Sequence, residues 1–283
     1  MSKFCWMTDI HLNVLKTDQT IKWLKYVKRS LSSDVISVCI SGDISESYSL
    51  EEDLTLLSSI LDLPVYFVLG NHDFWHSTFS DVENTCRRLT LENSKLVWLS
   101  GTNIIQLSDQ IALVGHDGWY DARNGDWNTS NITMNDWYHI YNYHPFISVN
   151  LGGMMPGIDM NAIVNVSRHR ADLAADHVYT HGKTALEQGN KRLIVFTHFP
   201  PFTDAMRWNG GPSEVDAFPW YSSKVMGDTL LKLANEFPDQ EISVFCGHTH
   251  ESCRFVAQKN LEVFVGAAQY GNPHWETFSL GAE

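Results

Sequence analysis

Val65-Tyr66-Phe67-Val68-Leu69-Gly70-Asn71-His72-Asp73 is an apolar, β-branched run that stops at a glycine and opens into three polar side chains. Bounded by Pro64 and Gly70, it reads as a short buried strand whose carboxyl end presents Asn, His and Asp groups. The pattern recurs. Residues 4–7 lead into Asp9-Ile10-His11, 35–40 into Gly42-Asp43, 193–197 into His198, and 242–246 into Gly247-His248-Thr249-His250. Two helical patterns separate the first three strands. In 18–31, Ile21, Leu24, Val27 and Leu31 form one apolar stripe behind a candidate cap at Asp18, and 50–61 gives a second helix. The order βαβαβ predicts parallel strands joined by right-handed crossovers. Carboxyl ends of parallel strands share one edge of a sheet, where open α/β sheets bind ligands. Five strands therefore deliver carboxylate, imidazole and amide groups to one rim.

The later chain reads differently. A helix is expected over 80–91, then short strands over 96–99, 103–107 and 111–114, whose close spacing suggests hairpins and a change to mixed or antiparallel pairing. Residues 118–160 carry Trp119, Trp127, Trp137, four tyrosines and the Gly152-Gly153 pair. They read as an irregular excursion, a lid or cap. Helices over 162–188 and 222–237 precede the strands 193–197 and 242–246, and two terminal strands, 254–257 and 261–265, close the pattern. The reading is a single α/β domain over 1–283 with an aromatic-rich insertion at about 118–160.

The 283 residues suffice for a large core, and 43% hydrophobic with 19% charged residues excludes a mostly disordered chain. No apolar run is long enough for a transmembrane helix, and Asp9 and His11 fall where a secretory signal needs its apolar region, so no membrane association is expected. Five scattered cysteines with no CxxC support neither a disulfide frame nor a thiolate zinc site, and point to a reducing, cytoplasmic setting. Twenty Lys and Arg against 33 Asp and Glu give a net charge of −13 with no basic stripe, which argues against a passive nucleic-acid binder. An enzyme acting on phosphates stays open, because bound cations reverse the field locally.

Oxygen and imidazole donors on one rim suit divalent Mn, Fe, Zn or Ni. A lone DxH is common by chance. GNHD at a strand end says more, and GHTH more again, because its two histidines converge only on a loop. All five blocks in order resemble those of the calcineurin-like metallophosphoesterases: DxH, GDxx, GNH[DE], a lone His after a strand, and GHxH. Here they are Asp9/His11, Gly42/Asp43, Asn71/His72/Asp73, His198 and Gly247/His248/His250. The resemblance implies a four-layer α/β/β/α sandwich of mixed sheets with two metal ions at the sheet edges. It implies Asp9, His11, Asp43 and His250 around one ion, and Asp43, Asn71, His198 and His248 around the other, with Asp43 bridging. A bridging carboxylate can hold two ions about 3.5–4 Å apart. The implied activity is two-metal hydrolysis of a small phosphomonoester or phosphodiester, a nucleotide among the candidates, by direct attack of a metal-bridging hydroxide. His72 is by the resemblance not a ligand. It is assigned to protonate the leaving oxygen or to stabilise the phosphoryl group, with Asp73 either orienting its imidazole or serving as a turn or helix cap.

Departures narrow the resemblance. Glu46 stands where purple acid phosphatases carry a ligating tyrosine, and Gly42-Asp43-Ile44-Ser45-Glu46 is not the GDxVDRG of protein Ser/Thr phosphatases. Two rival readings remain: a nuclease of the same fold, opposed by the missing basic groove, and a catalytically silent scaffold of the retromer type, opposed by the intact ligand set. Outside the blocks, His116, Tyr120 and Arg123, with Trp119, are the candidates for substrate contact because they come soonest after strand 111–114; His116 has a hairpin-turn role as its alternative. Rings of the excursion could stack on a nucleobase, but packing against the main domain is the preferred reading. The oligomeric state is not legible.

Overall fold

The computed structural model describes residues 2–148 and 157–281, so the Gly152-Gly153 pair lies outside the described residues. The first half runs β1 (Lys3–Met7), α1 (Thr17–Ser30), β2 (Val35–Ser41), α2 (Leu50–Leu61), β3 (Val65–Val68), α3 (Phe79–Glu92), β4 (Leu96–Trp98), β5 (Ile105–Ser108) and β6 (Ile111–Gly115). The second half adds α4 (Met160–Glu187), β7 (Arg192–Phe196), α5 (Lys224–Glu236), β8 (Glu241–Cys246), β9 (Cys253–Gln258), β10 (Leu261–Val265) and β11 (Glu276–Ser279). Thr78 caps α3 by accepting from the Asp81 amide, and Asp159 caps α4 by accepting from Ala162. The predicted cap at Asp18 instead falls within the first turn of α1, where a carboxylate still favours the helix dipole.

Two sheets form. One has the order β11-β1-β2-β3-β4, the other β9-β10-β8-β7-β6-β5. β1 to β4 run parallel, as do β6, β7, β8 and β10, while β11, β5 and β9 pair antiparallel at or near the edges. Alternation along each strand builds the layers. On β1, Phe4 and Trp6 face the second sheet while Cys5 and Met7 face α1 and α2. On β7, Ile194 and Phe196 face inward while Leu193 and Val195 meet α4 and α5. Phe4, Phe196, Phe245, Phe264 and Phe278 pack between the sheets with ring centroids 4.9–5.9 Å apart. The result is the expected four-layer α/β/β/α sandwich of mixed sheets.

Two strand expectations need correction. Leu96–Trp98 is not part of a hairpin but extends the first sheet in parallel beside β3, and only β5 and β6 form the hairpin. The terminal strand β11 was not foreseen. It is four residues long with Phe278 as its one inward aromatic, too short for a period to show, and is held by antiparallel pairing to β1.

The excursion is built on buried rings. Trp119, Tyr120, Trp137 and Tyr143 are fully buried. Trp119 donates to the Tyr143 hydroxyl at 3.0 Å and Trp137 to that of Tyr120 at 3.1 Å. These rings join Phe74, Phe79 and Phe199 in the main core, so their apolar area is spent on packing. No helix among the described residues is long and apolar enough to cross a membrane.

Candidate metal centre

The blocks meet where the two sheets present their carboxyl ends. The loops after β1 and β2 are zipped together: Asp9 N donates to Gly42 O at 3.0 Å and His11 N to Asp43 O at 3.0 Å. The loops after β7 and β8 are joined by Gly247 N to His198 O at 3.0 Å, and His198 N donates to Asp117 O at 3.1 Å. Turning the chain this sharply puts Asp9, His11, Asp43, His248 and His250 at φ between 40° and 70°. That left-handed region costs a residue with a β-carbon about 1–3 kcal/mol. Five such residues at one rim, every one bearing a donor atom, mark strain held for function.

The donor atoms converge as the blocks imply. One ligand atom each from Asp9, His11, Asp43 and His250 lie within 4.8 Å of one another, and so do those from Asp43, His198 and His248, so Asp43 belongs to both groups. Asn71 joins the second group, its Oδ1 3.1 Å from His198 Nε2. His11 Nε2 and His250 Nε2 face each other at 3.4 Å. His198 Nδ1 lies 2.9 Å from the Ser41 carbonyl, which can only accept; Nδ1 therefore carries the proton and Nε2 turns its lone pair to the centre. His248 Nε2 is buried with no hydrogen-bond partner among the described residues.

The electrostatics fit cations. Asp9, His11, Asp43 and His198 are each exposed by 1% or less. Buried carboxylates without counter-charge are costly. Burial works against a charged His198, yet Asp43 and Asp9 overcome it and raise its pKa to about 10. Burial raises the Asp43 pKa, but the surrounding imidazoles, His198 foremost, overcome it and keep the carboxyl well below its usual range. Two donor sets sharing a carboxylate, each mixing oxygen with imidazole nitrogen, suit two divalent ions.

Small residues guard the approach. A β-carbon at Gly70 would run into Asp43 Oδ1 and the Asp43 backbone nitrogen. Gly70→Ala is therefore expected to displace the shared carboxylate and lower turnover by roughly 10²-fold or more, the scale for misplacing a reacting geometry by about 1 Å. Steady-state hydrolysis checks this, with circular dichroism to confirm the fold.

His72 lies beside the centre, its Nε2 3.9 Å from Asp43 Oδ2. Its backbone nitrogen donates to Asp43 Oδ1 at 2.9 Å. Burial pushes its pKa down to about 4 against the pull of Asp43. Asp73 does not orient this ring. Its Oδ1 accepts from Ile44 and Ser45 amides at 3.0 and 2.8 Å, and its Oδ2 from Gly70 at 2.8 Å. Asp73 thus staples the loop carrying Asp43 to the loop carrying Asn71, which is the turn reading in a stronger form. The catalytic assignment for it is corrected accordingly.

The three substrate-contact candidates are also corrected. His116 turns toward His177 on α4, ring centroids 5.3 Å apart, and burial pushes its pKa down to about 3. Tyr120 is a core ring. Arg123 pairs with Asp172 at 2.9 Å and Asp121 at 3.3 Å. None of them, nor Trp119, lines the cleft above the metal centre. Being early after a strand does not fix direction; these groups point into the packing of the excursion and of α4. The cleft encloses about 550 Å³ and is lined by segments 132–136 and 206–217 together with Trp75, Tyr221 and Tyr270. Tyr270 sits 4.4 Å from His11 and 5.2 Å from His250, and Tyr221 4.8 Å from His248, by ring centroids. No periodicity or motif marks these wall residues; only Trp75, two positions beyond GNHD, stood near a recognisable signal.

The calcineurin-like phosphoesterase family model matches residues 2–252, and the chain belongs to that family of metal-dependent hydrolases. The fold superposes on a phosphopantetheinyl hydrolase from Mycobacterium tuberculosis with a TM-score of 0.63 at 12% identity, over 95% of this chain and 90% of that one. It superposes on a dimetal phosphatase from Danio rerio with a TM-score of 0.52 at 15% identity, over 94% and 87%. At these identities the likeness is one of fold. No protein of curated function matches the sequence. Family and donor geometry together define a phosphoesterase that uses two divalent metal ions.

Proposed function

We propose that the chain hydrolyses a small phosphomonoester or phosphodiester, nucleotides among the candidates, by direct in-line displacement at phosphorus with no covalent enzyme intermediate. The observation that supports this best is the pair of donor sets joined at Asp43 on the floor of a cleft of about 550 Å³, a volume suited to one small ligand. Asp9, His11, Asp43 and His250 would hold one ion, and Asp43, Asn71, His198 and His248 the other. Bound there, two cations would supply charge to neutralise phosphoryl oxygens and to lower the pKa of a bound water. The chain supplies the rest. The Asp73 staple and the Ser41 carbonyl fix Asp43 and His198 in place, and His72 stands at the cleft wall to meet the leaving or phosphoryl oxygen. Tyr221 and Tyr270 narrow access of solvent.

The cleft wall favours a small ester over a nucleic acid. Among the described residues, Arg207 is the single Lys or Arg lining it, against Asp136, Glu214 and Asp216 beyond the metal donors. A polyphosphate backbone needs several cationic contacts. The test is hydrolysis of p-nitrophenyl phosphate and bis-p-nitrophenyl phosphate before chelation, after it, and after readdition of Mn²⁺. Turnover of at least one ester that vanishes on chelation and returns with metal is expected. Turnover indifferent to chelation would contradict the proposal.

A further inference from the structure

We infer that Asp136 is a positioning residue that couples the metal-facing amide of Asn71 to the orientation of His72. The inference rests on the two-metal reading above and adds to it a residue from the excursion. Asp136 Oδ1 accepts two hydrogen bonds, from Asn71 Nδ2 at 2.8 Å and from Trp75 Nε1 at 2.8 Å. An amide held by its nitrogen has its oxygen fixed opposite, and Asn71 Oδ1 is the atom that faces His198 Nε2. The indole is fixed by the second bond. It stacks on the His72 imidazole with centroids 3.6 Å apart and planes 26° from parallel, and it also stacks with His139 at 4.8 Å. One carboxylate oxygen thus sets a donor atom of the second metal group and, through one ring, the side chain at the cleft wall.

Asp136 carries the cost that such a role implies. It is 1% exposed, and its Oδ2 is buried with no hydrogen-bond partner among the described residues. A carboxylate whose only task was to fill space would be replaced at less cost by an apolar side chain. It stands on a single helical turn, Asp136–His139, whose neighbour Trp137 is locked into the core by Tyr120 and Trp220. The excursion's packing is therefore transmitted to the metal centre by way of one side chain. Partners that orient a metal ligand commonly change metal affinity or activity by about 10–100-fold when removed.

The experiment uses the whole chain and measures Mn²⁺ binding by titration calorimetry alongside hydrolysis of an alkyl phosphate ester, whose poor leaving group makes turnover depend on His72. Wild-type chain is measured first; failure to bind metal there would defeat the two-metal reading itself, separately from this inference. Given binding, Asp136→Ala is expected to weaken one of the two Mn²⁺ affinities by about 10–100-fold and leave the other within about threefold, with kcat reduced more than KM is raised. Asp136→Asn keeps an acceptor oxygen for both donors and should restore most of that loss. Trp75→Phe keeps the stacked ring and loses only its bond to Asp136, so it should bind both ions normally and turn over more slowly; it also serves as the test should Asp136→Ala fail to fold. Unchanged affinities and kcat in a folded Asp136→Ala, equal weakening of both ions, or wild-type turnover in Trp75→Phe would each overturn the inference.

Discussion

Asp43→Asn is expected to leave a folded protein that binds at most one metal ion and has lost turnover by roughly 10³-fold or more, since neutralising phosphoryl charge is worth several kcal/mol. The substitution is nearly isosteric. The side-chain oxygen that accepts from the His72 amide can be kept by the Asn carbonyl, and the loop stays stapled by Asp73 through the Ile44 and Ser45 amides. What is lost is the negative charge common to both donor groups. Asp43 Oδ2 lies 3.5 Å from His198 Nε2 on one side and 3.8 Å from His11 Nε2 on the other. Among the described residues no other carboxylate belongs to both groups. Metal analysis and hydrolysis of the same preparation check the result; two ions retained with normal turnover would remove Asp43 from its bridging place.

His72→Ala is the second large effect. The ring is not one of the converging donors, so both metal ions should still bind. Turnover should fall by about 10²–10⁴-fold on esters with poor leaving groups, the range for a positioned general acid, and by much less on nitrophenyl esters, whose leaving oxygen needs no proton. The contrast between leaving groups carries the assignment. Equal losses on both would instead place His72 against the phosphoryl oxygens. Loss of metal would show that the ring is a ligand after all.

The parts of this architecture legible in the sequence are those written in short-range terms. Apolar runs ending in Asp, His and Asn placed five strand ends, and the βαβαβ order put the first three on one rim because parallel strands share their carboxyl edge. The donor atoms of those blocks do converge. The rest depended on direction, which a single sequence does not state. Tyr120 and Arg123 come soon after the end of β6, yet turn away from the cleft, Tyr120 toward Trp137 in the excursion and Arg123 toward Asp172 on α4. Asp73 sits next to His72 in sequence, but its carboxylate reaches back to amides 28 and 29 residues away. Asp136 reaches Asn71 across 65 residues, and Tyr270 arrives over His11 from near the end of the chain. Such long-range pairings leave no local period to read.

The most direct test of the central claim is an anomalous-scattering experiment on crystals grown with Mn²⁺. The account predicts two peaks per chain, one on either side of Asp43, the first among Asp9, His11 and His250 and the second among Asn71, His198 and His248. A single peak, peaks away from these residues, or none at saturating Mn²⁺ would contradict it.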